Sequence, residues 1–324
     1  MWDIIGQMET VAILEAAMAS DKLPHALLLT GPAGIGKTTL ARELAKALNC
    51  IGDGPPCQAC IHCRQIESGS HPDVSMIERA DGKESVQIAQ VRALREAAAL
   101  RPYQGKWKVY IIAGAEVLTL QAADALLKTL EEPQPQVTIV LTAIEADALP
   151  ATVISRCRSM PLQRLDDETL AASLLQRGVE ADEARRLARL ARGNVGWALQ
   201  AAKQPRIAAQ RREMLERLGE VPDMDLDARL QLVEAMTSDR KDRSSVRQQV
   251  ELLLLLARDL VLVKGGLPPR TALDEQQEAL RRQAERHSLA ELSAYVQSIR
   301  QAMIRIDANV DPRLALEAAL VAST

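Results

Sequence analysis

The 324 residues contain no Phe and only three Tyr and three Trp, which disfavours single-strand binding through stacked aromatic platforms. Excess charge of one sign is also lacking: the formal net charge is −3, so bulk electrostatics marks neither a nucleic-acid binder nor a membrane-surface protein. Any DNA contact must be local. No N-terminal stretch has the basic start, apolar middle and small-residue cleavage site of a secretory signal. The most apolar run, 252–263, is broken by Arg258 and Asp259 and falls short of the roughly 20 residues a spanning helix needs. It reads as a buried core helix in a cytoplasmic protein with no membrane partner. Internal repeats and low-complexity segments are absent.

What is present is abundant apolar material, 47% of the chain, enough for two or three domains. Up to about residue 162, apolar runs alternate with helical stretches: 25–30, 74–77, 108–112 and 137–142 are rich in Val, Ile and Leu. Strands separated by helices imply a parallel sheet covered on both faces. After Pro161 the strand signals stop. Segments 167–177 and 181–192 read as helices, the second ended by Gly193, with Asn194 capping a third through Ala201. From about Arg206 the pattern is helical throughout, and Leu292, Tyr295, Val296, Ile299, Met303 and Ile306 mark one apolar face. The expected fold class is α/β plus all-α: an α/β domain over 1–162, a small helical module over 163–205 and a helical bundle over 206–324.

Gly31-Pro32-Ala33-Gly34-Ile35-Gly36-Lys37-Thr38 fits G-x-x-x-x-G-K-[ST] and lies between an apolar strand and a helix start. Glycines let the backbone curl so that N–H groups face phosphate oxygens, and the helix N-terminus favours negative charge. Lys37 would neutralise the β- and γ-phosphates, and Thr38 would offer its hydroxyl to Mg²⁺. Gly31, Ala33, Gly34, Ile35, Gly36, Lys37, Thr38 and Thr39 are the nucleotide-binding candidates, for ATP or ADP with Mg²⁺. Hydrolysis also needs an acid at the end of a neighbouring strand. After 108–112 the chain has Ala113-Gly114 where hydrolysing P-loop proteins usually carry Asp-Glu. Glu116 lies several residues beyond; it reads as a solvated residue opening the next helix, or alternatively as an acid brought back by an unusual turn. The site reads as a nucleotide holder with a damaged hydrolytic apparatus.

Cys50, Cys57, Cys60 and Cys63 form C-x6-C-x2-C-x2-C, a spacing that folds four thiolates tightly around one ion. In a cytosolic chain this favours structural zinc over disulfides. Gly52, Gly54, Pro55 and Pro56 make the intervening segment a loop. His62 reads as an exposed neighbour rather than a ligand.

Together these residues resemble the AAA+ clamp-loader subunits of bacterial DNA polymerase III, over nearly the whole chain. Ile4-Ile5-Gly6-Gln7 resembles the box flanking the adenine, and His25–Thr30 enters the P-loop in the family manner, with the four-cysteine insert following. The most specific signals are Ala125-Leu126-Leu127-Lys128-Thr129-Leu130-Glu131-Glu132-Pro133 and 149–158, which contains Ser155-Arg156-Cys157. Asn309–Glu317 resembles the end of the family's collar domain.

The resemblance implies an AAA+ domain with a zinc module, a helical lid and a collar that joins five subunits. It further implies partnership with gamma/tau motor and delta subunits, the sliding clamp and primed DNA. By the Ser-Arg-Cys match, Arg156 is an arginine finger acting in trans on a neighbour's ATP. The always-charged, forked guanidinium suits that task. Motor subunits keep the acidic pair and a lid arginine; here Ala113-Gly114 and Gly196 stand in their places. Those departures point to a subunit without efficient turnover of its own, the alternative being a gamma/tau-like or other AAA+ ATPase. Arg185, Arg189 and Arg192 share one helix face, read as solvated or inter-domain, with phosphate-backbone contact as the other reading.

Overall fold

The computed structural model describes residues 1–80, 83, 85–238, 243–269, 274–308 and 310–321; Asn309 of the C-terminal motif lies outside the described residues. Two compact units divide the chain. The first comprises 1–177 with 193–197, and the second 178–192 with 198–324, so the division falls inside 163–205.

In the first unit the elements run α1 (Met8–Ala19), β1 (Ala26–Thr30), α2 (Lys37–Asn49), α3 (Ile61–Glu67), β2 (Val74–Ile77), α4 (Ile88–Ala98), β3 (Lys108–Ile112), α5 (Leu120–Glu131), β4 (Val137–Ala143), α6 (Ala151–Ile154), β5 (Arg158–Pro161) and α7 (Asp167–Gln176). The five strands form one sheet in the order β2-β3-β4-β1-β5, and every pairing is parallel. Strand residues alternate between two cores. Leu28, Tyr110, Ile112, Ile139 and Leu141 pack with α4 and α5 residues such as Leu94 and Leu126. Leu27, Leu29, Ile111 and Val140 pack with Leu14, Leu40 and Leu44 on the other face. This is the doubly covered parallel sheet that the apolar runs predict.

The strand β5 escapes the sequence reading. Arg-Ser-Met-Pro has no apolar run and only Met160 of the four is buried. Its strand conformation comes from pairing with β1, Leu27 opposite Arg158 through Thr30 opposite Pro161. Tertiary context overrides weak local propensity here.

The remaining helices are α8 (Ala181–Ala191), α9 (Val195–Lys203), α10 (Pro205–Gly219), α11 (Leu226–Met236), α12 (Arg243–Lys264), α13 (Asp274–Arg286), α14 (Leu289–Asp307) and α15 (Pro312–Val321). Arg192, with φ 53°, turns the chain out of α8, and the Asn194 side chain accepts from Trp197 N–H at 2.9 Å to cap α9. The 252–263 run lies in α12, where Leu253, Leu256, Ala257 and Leu260 are buried. Among the described residues no helix is long and apolar enough to cross a membrane. In the second unit α12 packs on α10, α13 and α14, and α15 packs on α11 and α14.

The buried guanidinium of Arg229 ties that bundle together, donating to Leu320 C=O at 2.9 Å and Pro222 C=O at 3.1 Å. Leu320 lies in the last turn of α15, whose terminal carbonyls lack helical partners and attract a cation. Truncation orphans both carbonyls. Arg229→Ala is expected to lower stability by about 2–4 kcal/mol, read as a lower urea midpoint.

Candidate nucleotide and metal sites

The phosphate loop begins where β1 ends. Gly31 N–H donates to Ala143 C=O at 3.2 Å and Ile144 C=O at 3.1 Å, fastening the loop to the end of β4. Gly31, Gly34 and Gly36 have φ of 143°, 73° and 103°, and only glycine adopts all three without strain. Gly36 caps α2, so Lys37 and Thr38 open the helix beneath the loop. The Lys37 ammonium donates back to Gly31 C=O and to Pro32 C=O, the latter at 2.8 Å. Ile35 is buried as the loop's anchor, while Thr39 is exposed on α2. Ile4 packs beside the loop, its Cδ1 3.8 Å from where a Cβ on Gly36 would stand.

A second segment touches this loop. Gly196 N–H donates to Gly34 C=O at 2.8 Å, and the Asn194 amide fills the space a Cβ on Gly34 would need, its Oδ1 only 1.9 Å from that point. The sequence identifies Asn194 as a helix cap. Its apposition to the phosphate loop, 160 positions away in the chain, carries no local signal.

The C-terminal end of β3 lies two strands from the loop, across β4. Ala113 and Gly114 occupy it, and Gly114 N–H donates to Thr142 Oγ1 at 3.1 Å. Thr142, at the end of β4, is a polar group of this edge that the sequence reading does not single out. Glu116 departs from its expected solvated state. It sits in a one-turn 3-10 helix, Ala115–Val117, entered through Gly114 at φ 68°, and its Oε2 is buried without a hydrogen-bond partner. Its Oε1 lies 3.8 Å from where a Gly114 Cβ would stand. The left-handed glycine turns the side chain back toward the strand end.

Arg156 lies toward the opposite, N-terminal end of the strands. Thr30, leading into the phosphate loop, pairs with the last residue of β5, whereas Arg156 precedes its first, Arg158. About 10 Å of strand separates the two levels. The guanidinium bonds Glu131 at 2.6 Å, Thr152 C=O at 2.8 Å and Ser155 Oγ at 3.2 Å. In the second unit Arg185 is exposed and paired with Asp182 at 2.6 Å, consistent with a solvated face.

The four cysteines come together. Cys50 caps the end of α2, Cys60 caps the start of α3, Cys63 lies in its first turn, and all four sulfurs lie within 4.8 Å of one another. Tetrahedral zinc with Zn–S of about 2.3 Å needs sulfurs about 3.8 Å apart, so the donor set fits such an ion. Backbone N–H groups aim at the sulfurs: Cys57 N at Cys50, Cys60 N at Cys57 and Cys63 N at Cys60, at 3.3–3.5 Å. Burial pushes the Cys60 thiol up, but N–H groups from Ile51 and Cys63 and the neighbouring thiols outweigh it and bring it to about 6. Burial pushes Cys63 up to about 12.

His62 departs from its expected exposure. It is buried, and its Nδ1 lies 2.8 Å from His71 Nε2. Asp73 N–H donates to His71 Nδ1 at 3.1 Å, so the His71 proton resides on Nε2 and is donated to His62. Burial, then the adjacent His62, push the His71 pKa down. Asp73 in turn accepts from the N–H groups of Tyr103, Gln104 and Gly105 at 2.7–2.8 Å. Burial alone would raise its carboxyl; those bonds hold it below the usual range. His62 thus joins the cysteine module to β2 and the loop before β3.

The family profile for "DNA polymerase III, delta subunit" matches residues 6–166. DNA polymerase III subunit delta' of Bacillus subtilis is 28% identical over 94% of this chain and 92% of that protein. The gamma subunit of Buchnera aphidicola is 37% identical over 61% of this chain and 56% of its own length. The tau subunit of Escherichia coli is 33% identical over 74% of this chain and 38% of its own. The chain therefore spans nearly all of the delta' relative and about half or less of the gamma and tau relatives. Among solved structures, a gamma subunit-related protein from Thermotoga maritima aligns over 96% of this chain at 18% identity, with a TM-score of 0.43.

The overlap at Gly34 is testable. Gly34→Ala is expected to destabilise the first unit by about 1–3 kcal/mol, from both the positive φ and the collision with Asn194. Measured by urea unfolding, the loss should be smaller in an Asn194→Gly background, where only the backbone strain remains.

Proposed function

The chain belongs to the clamp-loader family of bacterial DNA polymerase III, and from that premise we propose that it acts as the delta prime subunit of the complex. In this role it helps load the sliding clamp onto primed DNA, alongside gamma/tau motor subunits and delta in a heteropentamer. The segments 1–162, 163–205 and 206–324 serve as AAA+ domain, lid and collar. It holds ATP or ADP with Mg²⁺ at Gly31–Thr39 without efficient turnover, and supplies Arg156 in trans. The supporting observation is the separation of the two sites: the phosphate loop follows the C-terminal end of β1, whereas Arg156 precedes the N-terminal end of the neighbouring strand β5. An arginine so placed is remote from its own subunit's phosphates, which supports a role in trans.

Within the phosphate site, backbone N–H groups of the loop and the α2 N-terminus orient the anion, and Lys37 trades its bonds to loop carbonyls for phosphate oxygens. Mg²⁺ supplies charge neutralisation when bound, with Thr38 as its protein ligand. Ala113 and Gly114, which follow β3, have no carboxylate with which to organise the attacking water. One observation favours the rival self-sufficient ATPase: Glu116 is turned back toward that strand end with an unpartnered oxygen.

Steady-state hydrolysis separates the two readings. The isolated chain is expected to bind ATP in a Lys37-dependent manner yet turn it over negligibly. Robust hydrolysis abolished by Glu116→Gln would establish the rival. In a complex reconstituted with the host's motor and delta subunits, Arg156→Ala is expected to leave assembly intact and reduce clamp-stimulated ATPase at least tenfold.

Cys50, Cys57, Cys60 and Cys63 would hold a zinc ion in a structural role, since four thiolates suffice for a tetrahedral donor set. Metal analysis of the purified chain should find about one equivalent of zinc, and Cys63→Ser should lose it with a fall in thermal stability.

A further inference from the structure

The segment Ala125–Pro133 is among the most specific family signals in the sequence, yet the nucleotide and metal sites use none of it. Its Glu131 carboxylate lies 2.6 Å from Arg156 Nη2. We propose that Glu131 is a positioning residue for Arg156, holding the guanidinium in its working orientation before a neighbouring subunit arrives. The inference rests on the trans-finger reading above.

The geometry supports orientation rather than stabilisation. Glu131 ends α5, Thr152 and Ser155 belong to α6 and its cap, and the two helices pack together. Arg156 therefore bridges two elements. Nη1 is fixed by Thr152 C=O and Ser155 Oγ, and Nη2 by the Glu131 carboxylate. A guanidinium has five N–H donors. Three acceptors in a fixed fork leave the remaining donors for a phosphoryl group. The side chains of Arg156 and Glu131 are 34% and 49% exposed. Solvent screens such a pair, so it adds little to stability. What it removes is rotamer freedom from a long side chain, a loss that would otherwise fall on the transition state of the trans reaction. Glu132, the next residue, is exposed and makes no bond to Arg156 among the described contacts.

The test uses the reconstituted complex and clamp-stimulated ATP hydrolysis. Glu131→Ala is expected to lower kcat roughly five- to tenfold, with KM for ATP unchanged and with assembly and thermal midpoint as in the parent. Glu131→Gln keeps an acceptor oxygen and should recover most of the loss, while Glu132→Ala should have no effect. Once Arg156 is removed, Glu131→Ala should do nothing further. A Glu131→Ala complex as active as the parent, or more active because the carboxylate had competed with phosphate, overturns the proposal. So does an additive loss in the double variant. Arg156→Ala in the same assay keeps the two readings distinct: full activity there refutes the finger itself, whereas a loss confined to Arg156→Ala refutes only the role of Glu131.

Discussion

The strand β1 is hydrogen-bonded to β4 along one edge and to β5 along the other, and all five of its residues are buried. A strand held on four sides has one position and one direction. Its C-terminal end delivers the phosphate loop, fastened further by Gly31 N–H to the end of β4. Its pairing with β5 sets the level from which the chain runs back to Arg156. Both candidate chemical groups thus take their coordinates from a single buried strand, which is why they lie at opposite ends of adjacent strands.

The cysteine module is secured by polar contacts rather than by a core of its own. Lys46 and Glu43, both almost fully buried, meet at 2.7 Å, and Lys46 also reaches Glu67 at 2.6 Å and Gln58 at 2.8 Å. Burial works against the Lys46 charge, but the two carboxylates outweigh it and raise its pKa. Gln58, between two of the cysteines, bonds Glu43 as well as the Met1 carbonyl, and Asp3 N–H donates to the same Glu43 carboxylate. Together with the His62–His71–Asp73 chain, this surrounds the module with contacts to α2, β2 and the N-terminal segment. Removing one partner of such a buried charge pair is strongly destabilising, so the network resists piecemeal loss.

Much of this was legible in the sequence because it is local. The glycine spacing of 31–38, the thiol spacing of 50–63 and the apolar runs of four strands each specify their geometry within a short local stretch of sequence. What stayed hidden depends on distant partners. Arg-Ser-Met-Pro becomes a strand only because β1 offers it an edge. His62 is buried because His71, nine positions on, gives its ring nitrogen a partner. Glu116 is drawn inward by one left-handed glycine, and the Asn194 amide meets Gly34 through a return of the chain that no pattern announces. The Glu131–Arg156 pair is of the same kind: each residue stands in a readable motif, but their contact exists only in three dimensions.

The short strand β5 has one more consequence. It closes one side of the sheet, and Pro161, its last residue, has no N–H to offer, while Arg158 at its start is exposed and charged. An open edge is ordinarily a template on which a foreign strand can grow the sheet. Here the edge is short, ended by a residue without an N–H and guarded by a cation. A like fold crowded against β5 finds little there on which to extend that side of the sheet.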